Sequence, residues 1–283
     1  MNPKSRYEVL FHRHPTNPIL TAADWPYPVH AVFNPAATLL PDRTTLLASP
    51  TDHPEELWGI EDPRITFVDE LGKYAIAYTA FGRSGPGVAL ALTSDFRTFE
   101  RRGVDMQPED KDAALLPRRI DGSFALIHRP VTESGANIWV SLSPDLTNWG
   151  THRPLLLARK GAWWDANKIG LSPPPIETSE GWLVLYHGVR HTAAGALYRL
   201  GVALFEHERF ERCIARGGSW IFGPEEPYEC HGDVGNVVFP CGLTIDADGD
   251  TIKLYYGAAD TTIALATGSI RQLLDWVLRN NEA

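Results

Sequence analysis

The chain of 283 residues is 43% hydrophobic and 22% charged, which is enough apolar material for a globular core. Its formal net charge of -9 argues against nucleic acid, whose binding rests on Lys and Arg neutralising phosphates, and against an anionic membrane surface. No apolar run of about 18 residues is present to span a bilayer, and the opening MNPKSRYEVLFHRHP lacks the apolar stretch of a signal peptide, so a cytoplasmic protein is expected.

In chain order, four segments repeat one pattern: an aromatic or aliphatic residue followed four positions later by a polar aromatic. They run from Tyr74 to Tyr78, Phe124 to His128, Trp182 to Tyr186 and Ile252 to Tyr256. Each alternates as a strand does and is followed, after a turn-rich stretch, by a second strand: GVALALT, NIWVSLS, RLGVALFE and TIALATG. Two of these second strands run into matching turns, TSDFRTF at 93–99 and SPDLTNW at 143–149, where Asp supplies a turn-capping oxygen. The repeats are 50, 58 and 70 residues apart, the spacing of propeller blades rather than of a helical solenoid. The predicted fold is all-β, one β-propeller catalytic domain over residues 1–283. A sandwich is the weaker alternative. One helix is expected at the C-terminus, SIRQLLDWVLRN, with Ile270, Leu273, Leu274, Val277 and Leu278 forming its apolar stripe.

A propeller axis gathers isolated residues from segments far apart in sequence, and the polar residues are scattered in that way. GIEDPRI at 59–65 sets Glu61 and Asp62 before Pro63, either a plain Asp-Pro turn or a rigid corner that aims a carboxylate. Lys111 stands beside Asp112, Arg129 in HRP, Lys168 in WWDANKIG, His187 in YHG, and Asp260 closes YYGAAD. Each cation alone reads as a solvated or structural charge. Together, at corresponding places of successive blades, Lys111, Arg129, Lys168 and His187 form a cluster that calls for an anion, and phosphate suits it. There is no Walker loop, no GxSxG elbow, and no metal spacing among His12, His14, His187, His191 and Cys230. Cys213, Cys230 and Cys241 form no CxxC pair and read as reduced structural thiols.

These motifs resemble glycoside hydrolase family 130 over nearly the whole chain and in order: NPA at 34–36, GIEDPRI, KDAALLP, HRP, SPDLTNWG, KIGLSPPPIETSEGWLVLYHGV, YRLG and GNVVFPCGLTIDADGDTIKLYYGAAD. The resemblance implies a five-bladed propeller and an inverting β-mannoside phosphorylase releasing α-D-mannose 1-phosphate. A minority of the family hydrolyses β-mannosides, and a non-catalytic glycan-binding propeller is the reading from another class. By the same resemblance Asp62 is the general acid, and Arg129, Lys168 and His187 bind phosphate, with Lys111 where Arg is usual. Asn34, Tyr198 and Asp260 contact the sugar. The implied partners are a β-mannoside oligosaccharide and inorganic phosphate as co-substrate, with no other cofactor, no metal, no nucleic acid and no membrane; a homo-oligomer is left open. Glu225, Glu226 and Glu229 are the candidates for a hydrolytic base, with turn or surface roles as the plainer reading. One departure stands out. Between NPA and EDPR the family carries a longer stretch, absent here, so the first blade is expected to be incomplete and to lack a sugar-binding Arg.

Overall fold

In the computed structural model, which describes residues 8–40, 43–47, 54–106, 108–193 and 195–282, the repeated strand pairs form the middles of four antiparallel sheets. After a short N-terminal strand β1 (Phe11–Arg13), a hairpin pairs β2 (Ala36–Leu40) with β3 (Arg43–Leu47). The first full sheet runs β4 (Gly59–Val68), β5 (Lys73–Gly82), β6 (Gly85–Thr93), β7 (Glu100–Met106). The second orders β8 (Asp110–Leu115), β9 (Phe124–Thr132), β11 (Ile138–Ser143) and β12 (Gly150–Leu156), with β10 (Gly135–Ala136) added to β9. The third has β13 (Lys168–Leu171) and β14 (Ile176–Thr178) sharing one edge of β15 (Gly181–Thr192), then β16 (Gly195–Phe205) and β17 (Cys213–Arg216). A four-residue helix α1 (Pro227–Cys230) leads into the fourth sheet, β18 (Val238–Ile245), β19 (Thr251–Ala258) and β20 (Thr262–Ser269), whose outer edge is closed by β1. The chain ends in α2 (Ile270–Arg279).

All four predicted strand pairs are therefore present, as β5/β6, β9/β11, β15/β16 and β19/β20. The predicted turns hold as well: Asp95 Oδ1 accepts from the N–H groups of Arg97 and Thr98, and Asp145 Oδ1 from those of Thr147 and Asn148. The ring is all-β and propeller-like, but it has four full sheets rather than five. Where the first blade is expected, the described residues supply only β2 and β3, with β2 wedged between β18 and β4. The physical reason is chain length. Only 25 residues separate Ala36 from Asp62, too few for a four-stranded sheet at about five or six residues per strand plus turns.

Each gap between neighbouring sheets holds its own core. Leu115 and Leu126 meet Val88 and Leu90 between the first and second, while Ile127 and Ile169 join Trp182 and Tyr186 between the second and third. Leu200 and Val202 face Leu254 and Tyr256 between the third and fourth. Because both faces of a blade are covered, β15 is buried from Gly181 through Val189 without the alternation of a half-exposed strand. Helix α2 packs into the third-to-fourth core through Ile270, Leu273, Trp276 and Val277, capped by Ser269, whose side chain accepts from the Gln272 N–H. The predicted stripe is displaced at its end: Leu278 is 47% exposed, and Trp276 takes the buried place against Gly217. All three cysteines are free, Cys241 fully buried in β18.

Candidate active site

Two adjacent sheets begin with the same irregularity. The β4/β5 ladder slips between Glu61 and Arg64, and the β8/β9 ladder slips between Lys111 and Ala114. The bulged residues Asp62 and Asp112 have φ of 53° and 54°, the left-handed region that Asp and Asn tolerate better than other side chains. Asn34 and Asp260 share it, with φ of 50° and 49°. GIEDPRI is therefore neither a turn nor an ordinary pre-proline corner. It is a bulge inside β4, with the residue before Pro63 in a conformation proline normally disfavours.

Asp62 is almost wholly buried, and its Oδ1 accepts from Asn34 Nδ2 at 2.8 Å. Burial pushes its carboxyl upward and Asp112 adds to this, while Arg64, Lys111 and the Asn34 bond oppose it. The outcome is a carboxyl biased toward holding its proton. Around it lie further acidic groups. Burial, with the fields of Asp62, Glu61 and Asp233 against that of Lys111, raises Asp260 to about 6. Lys111 is held near this acidic side by Glu61, 3.4 Å from its Nζ.

Asp112 has the opposite surroundings. Its Oδ2 accepts from Arg129 Nε at 2.6 Å and lies 3.5 Å from His187 Nε2, and its Oδ1 is 3.5 Å from Arg64 Nη2. Burial would raise this carboxyl, but Arg129, His187 and Arg64 together hold it well below the usual range. Arg64 is fully buried and ties the sheets together, donating to the carbonyls of Asp62 at 2.7 Å, Leu171 at 2.8 Å and Ser172 at 3.0 Å. Gly170 is required beside them, since a Cβ there would run into Asp112 Oδ2 and His187. His187 rests on the Phe239 ring, centroids 4.6 Å apart. Burial lowers it to about 3, with Arg129, Arg64 and Lys168 outweighing Asp112, so it is neutral near pH 7. Lys168 Nζ sits 5.0 Å from the Tyr198 ring centroid, and the Tyr198 and His187 centroids are 6.1 Å apart.

The residues singled out in the sequence thus meet at one end of the inner strands, in two groups. Asp62, Asn34, Asp260 and Lys111 make an acidic half. Arg129, Lys168, His187 and Tyr198 surround Asp112 in a cationic half. Three expectations need correction. The four basic residues come from two sheets, not from successive blades: Lys111 and Arg129 are direct register partners on β8 and β9, while Lys168 and His187 belong to β13 and β15. The cluster has its own anion, Asp112. His187 is a neutral donor, because the desolvation that gathers it with two arginines makes a third charge too costly. Arg64 and Asp112 were not among the expected site residues, although both stand inside quoted motifs, EDPR and KDA; their burial had no sequence signal. Of the glutamates, Glu229 is buried away from this cluster, bound by Arg13 Nε at 2.8 Å and Tyr256 Oη at 2.7 Å, which closes β1 onto the fourth sheet.

A family model described as beta-1,4-mannooligosaccharide phosphorylase matches residues 40–279. The chain belongs to glycoside hydrolase family 130. It is 35% identical over 226 residues to the beta-1,4-mannooligosaccharide phosphorylase of Ruminococcus albus, covering 78% of this chain and 66% of that one. It is 38% identical over 215 residues to the 1,2-beta-oligomannan phosphorylase of a Thermoanaerobacter species, covering 75% and 69%. Among solved structures it resembles the beta-1,2-mannobiose phosphorylase of Listeria innocua in complex with beta-1,2-mannobiose, with 35% identity and a TM-score of 0.75 over 83% of this chain and 66% of that one. The chain spans about two thirds of the length of these relatives.

Proposed function

We propose that this family 130 protein is an inverting β-mannoside phosphorylase, taking inorganic phosphate as co-substrate and releasing α-D-mannose 1-phosphate from a β-mannosyl saccharide. The β2–β3 hairpin then stands as the reduced first blade of a five-bladed ring.

The observation that carries the reading is the split between the two halves. Inverting hydrolysis needs one carboxylic acid to protonate the leaving oxygen and a second carboxylate to take a proton from water. Asp62 suits the acid, because burial favours its protonated form. Asp112 is a poor base, since three neighbours hold its carboxylate in the ionised form and occupy its oxygens. Phosphate needs no base. It needs donors, and Arg129, Lys168, His187 and Lys111 supply them from the half facing Asp62. Asn34 acts on the acid first, its amide holding the Asp62 carboxyl, while its buried Oδ1 has no hydrogen-bond partner and is available to a sugar hydroxyl. Tyr198 and Asp260 complete the sugar side in this reading. The mechanism is direct: phosphate attacks C1 on the face opposite the leaving oxygen as Asp62 protonates that oxygen.

The test is to incubate the protein with α-D-mannose 1-phosphate and a panel of acceptor sugars and measure released phosphate, then to run the forward reaction with and without phosphate. Phosphate release and a strict phosphate requirement are expected, and Lys168→Ala should raise the phosphate KM at least tenfold with little change in folding. Lys168 is the residue to test because it is only half-buried, whereas removing Arg129 would also strip Asp112 of its partner. Equal cleavage without phosphate, giving free mannose, would replace this reading with the hydrolase.

A further inference from the structure

The reduced first blade leaves a radial slot. Where a four-stranded blade would lie against the first full sheet, the hairpin covers only the inner part, and the loop of residues 25–33 crosses over the rest. The resulting cleft, about 370 Å³, has Ile76 of β5, Ala91 of β6 and Phe99 before β7 on one wall, and Trp25, Tyr27 and Phe33 on the other. Its inner end is polar and is formed by Asn34, Glu61 and Asp62. The volume is within the usual range for small-molecule sites.

A general acid delivers its proton to the leaving-group oxygen, so the leaving group must lie on the side of Asp62 that is open to it. On that side the cleft is apolar. Its outer polar side chains are Tyr78 and Arg101, and both are bound to Glu56: Tyr78 Oη donates to Oε1 at 2.6 Å, and Arg101 Nη1 is 3.1 Å from Oε2. A second hexose placed there would bury several hydroxyl groups against rings and aliphatic chains, at the cost of their hydrogen bonds to water. Trp25 and Tyr27 already meet edge to face, ring centroids 6.3 Å apart at 89°, an arrangement that accepts a further ring.

We infer that the slot is an aglycone subsite for an aromatic group, so that the chain accepts β-mannosides whose leaving group is an aryl-bearing alcohol. This rests on Asp62 as the proton donor. In the step, the bond between C1 and the aglycone oxygen breaks while a phosphate oxygen bonds to C1. The Asp62 proton passes to the departing oxygen, giving the free alcohol, and the mannose 1-phosphate monoanion returns a proton to Asp62.

Benzyl and methyl β-D-mannoside test this, since the two share the glycone and differ in the ring alone. With phosphate present, the benzyl compound should show a KM at least tenfold below the methyl compound, and calorimetry without phosphate should show the same ratio in affinity. Tyr27→Ser and Phe99→Ser alter side chains that are 54% and 42% exposed, so folding should be retained; each should shrink the ratio and leave the methyl compound unchanged. Equal KM and equal affinity for the two glycosides would overturn the subsite. So would turnover of β-mannobiose with no binding of the benzyl compound, and in that case the phosphorylase reading stands. Tighter binding of the benzyl compound with no phosphorolysis of any mannoside would retain the subsite and sink the phosphorylase reading. If light scattering shows a dimer that Tyr27→Ser or Phe99→Ser dissociates, a second copy fills the slot and the inference fails.

Discussion

The bulges of β4 and β8 are the same backbone device used for two purposes. Asp62 and Asp112 stand 50 residues apart, the spacing that also separates Tyr74 from Phe124, and both are left-handed within half a degree or so of the same conformation class, φ 53° and 54°. Both are buried. What differs is who reaches them. Asp112 takes Arg129 from its own sheet, His187 from the next and Arg64 from the previous one, and is held as an anion. Asp62 takes an amide, Asn34 Nδ2, on one oxygen, and burial raises it. Arg64 binds its backbone carbonyl, not its carboxyl. Two blade-equivalent aspartates thus become a proton donor and a structural counterion because of the partners around them, not because of their own conformation.

That contrast can be broken in three ways. The largest effect should come from Asp62→Asn, which keeps the left-handed backbone and the Asn34 contact but has no proton to give. Turnover should fall by about 10²–10⁴-fold, with melting temperature unchanged or higher. Near-normal turnover would remove Asp62 from the chemistry. Asp112→Asn should do the reverse, costing stability before anything else: a neutral side chain leaves Arg129 and Arg64 buried without their anion, a loss of about 3–5 kcal/mol. Denaturant unfolding of the two variants side by side would expose an error in this assignment if Asp112→Asn were the more stable of the pair.

The smallest and most diagnostic effect concerns pH. Asp260 is raised to about 6 from an unfolded value near 3.8, so between those values the folded state binds more protons than the unfolded state. Its contribution to stability therefore falls as pH rises through that window and stays low above it. Asp260→Asn should raise the melting temperature at pH 7.5 and have little effect at pH 3.5. A gain that grew toward acid pH would mean that Asp260 is held ionised, and the acidic half would need to be redrawn.

Much of this was legible without coordinates, for physical reasons that can be named. Strand pairs such as Tyr74–Tyr78 with GVALALT announce themselves because alternation and flanking turn residues are local. So do the Asp95 and Asp145 turns, whose hydrogen bonds span two or three residues. The clustering of Asp62 with Asn34, and of Arg129 with Lys168 and His187, followed from the family motifs. Missed were Arg64 and Asp112, the neutrality of His187, the buried Trp276 and the slot beside β4. None of these is a property of a residue and its neighbours in sequence. Each depends on which surface a separate sheet presents.

The amino-acid sequence by itself determined the repeating β architecture, the family and the identity of the groups brought to the axis, because strand periodicity, turn chemistry and motif order are carried by neighbouring residues. Only the tertiary structure decided which aspartate is the acid, which histidine stays uncharged and that an apolar slot opens where strands are missing. Those outcomes depend on desolvation and on charges arriving from distant sheets, and burial is set when the blades close against one another.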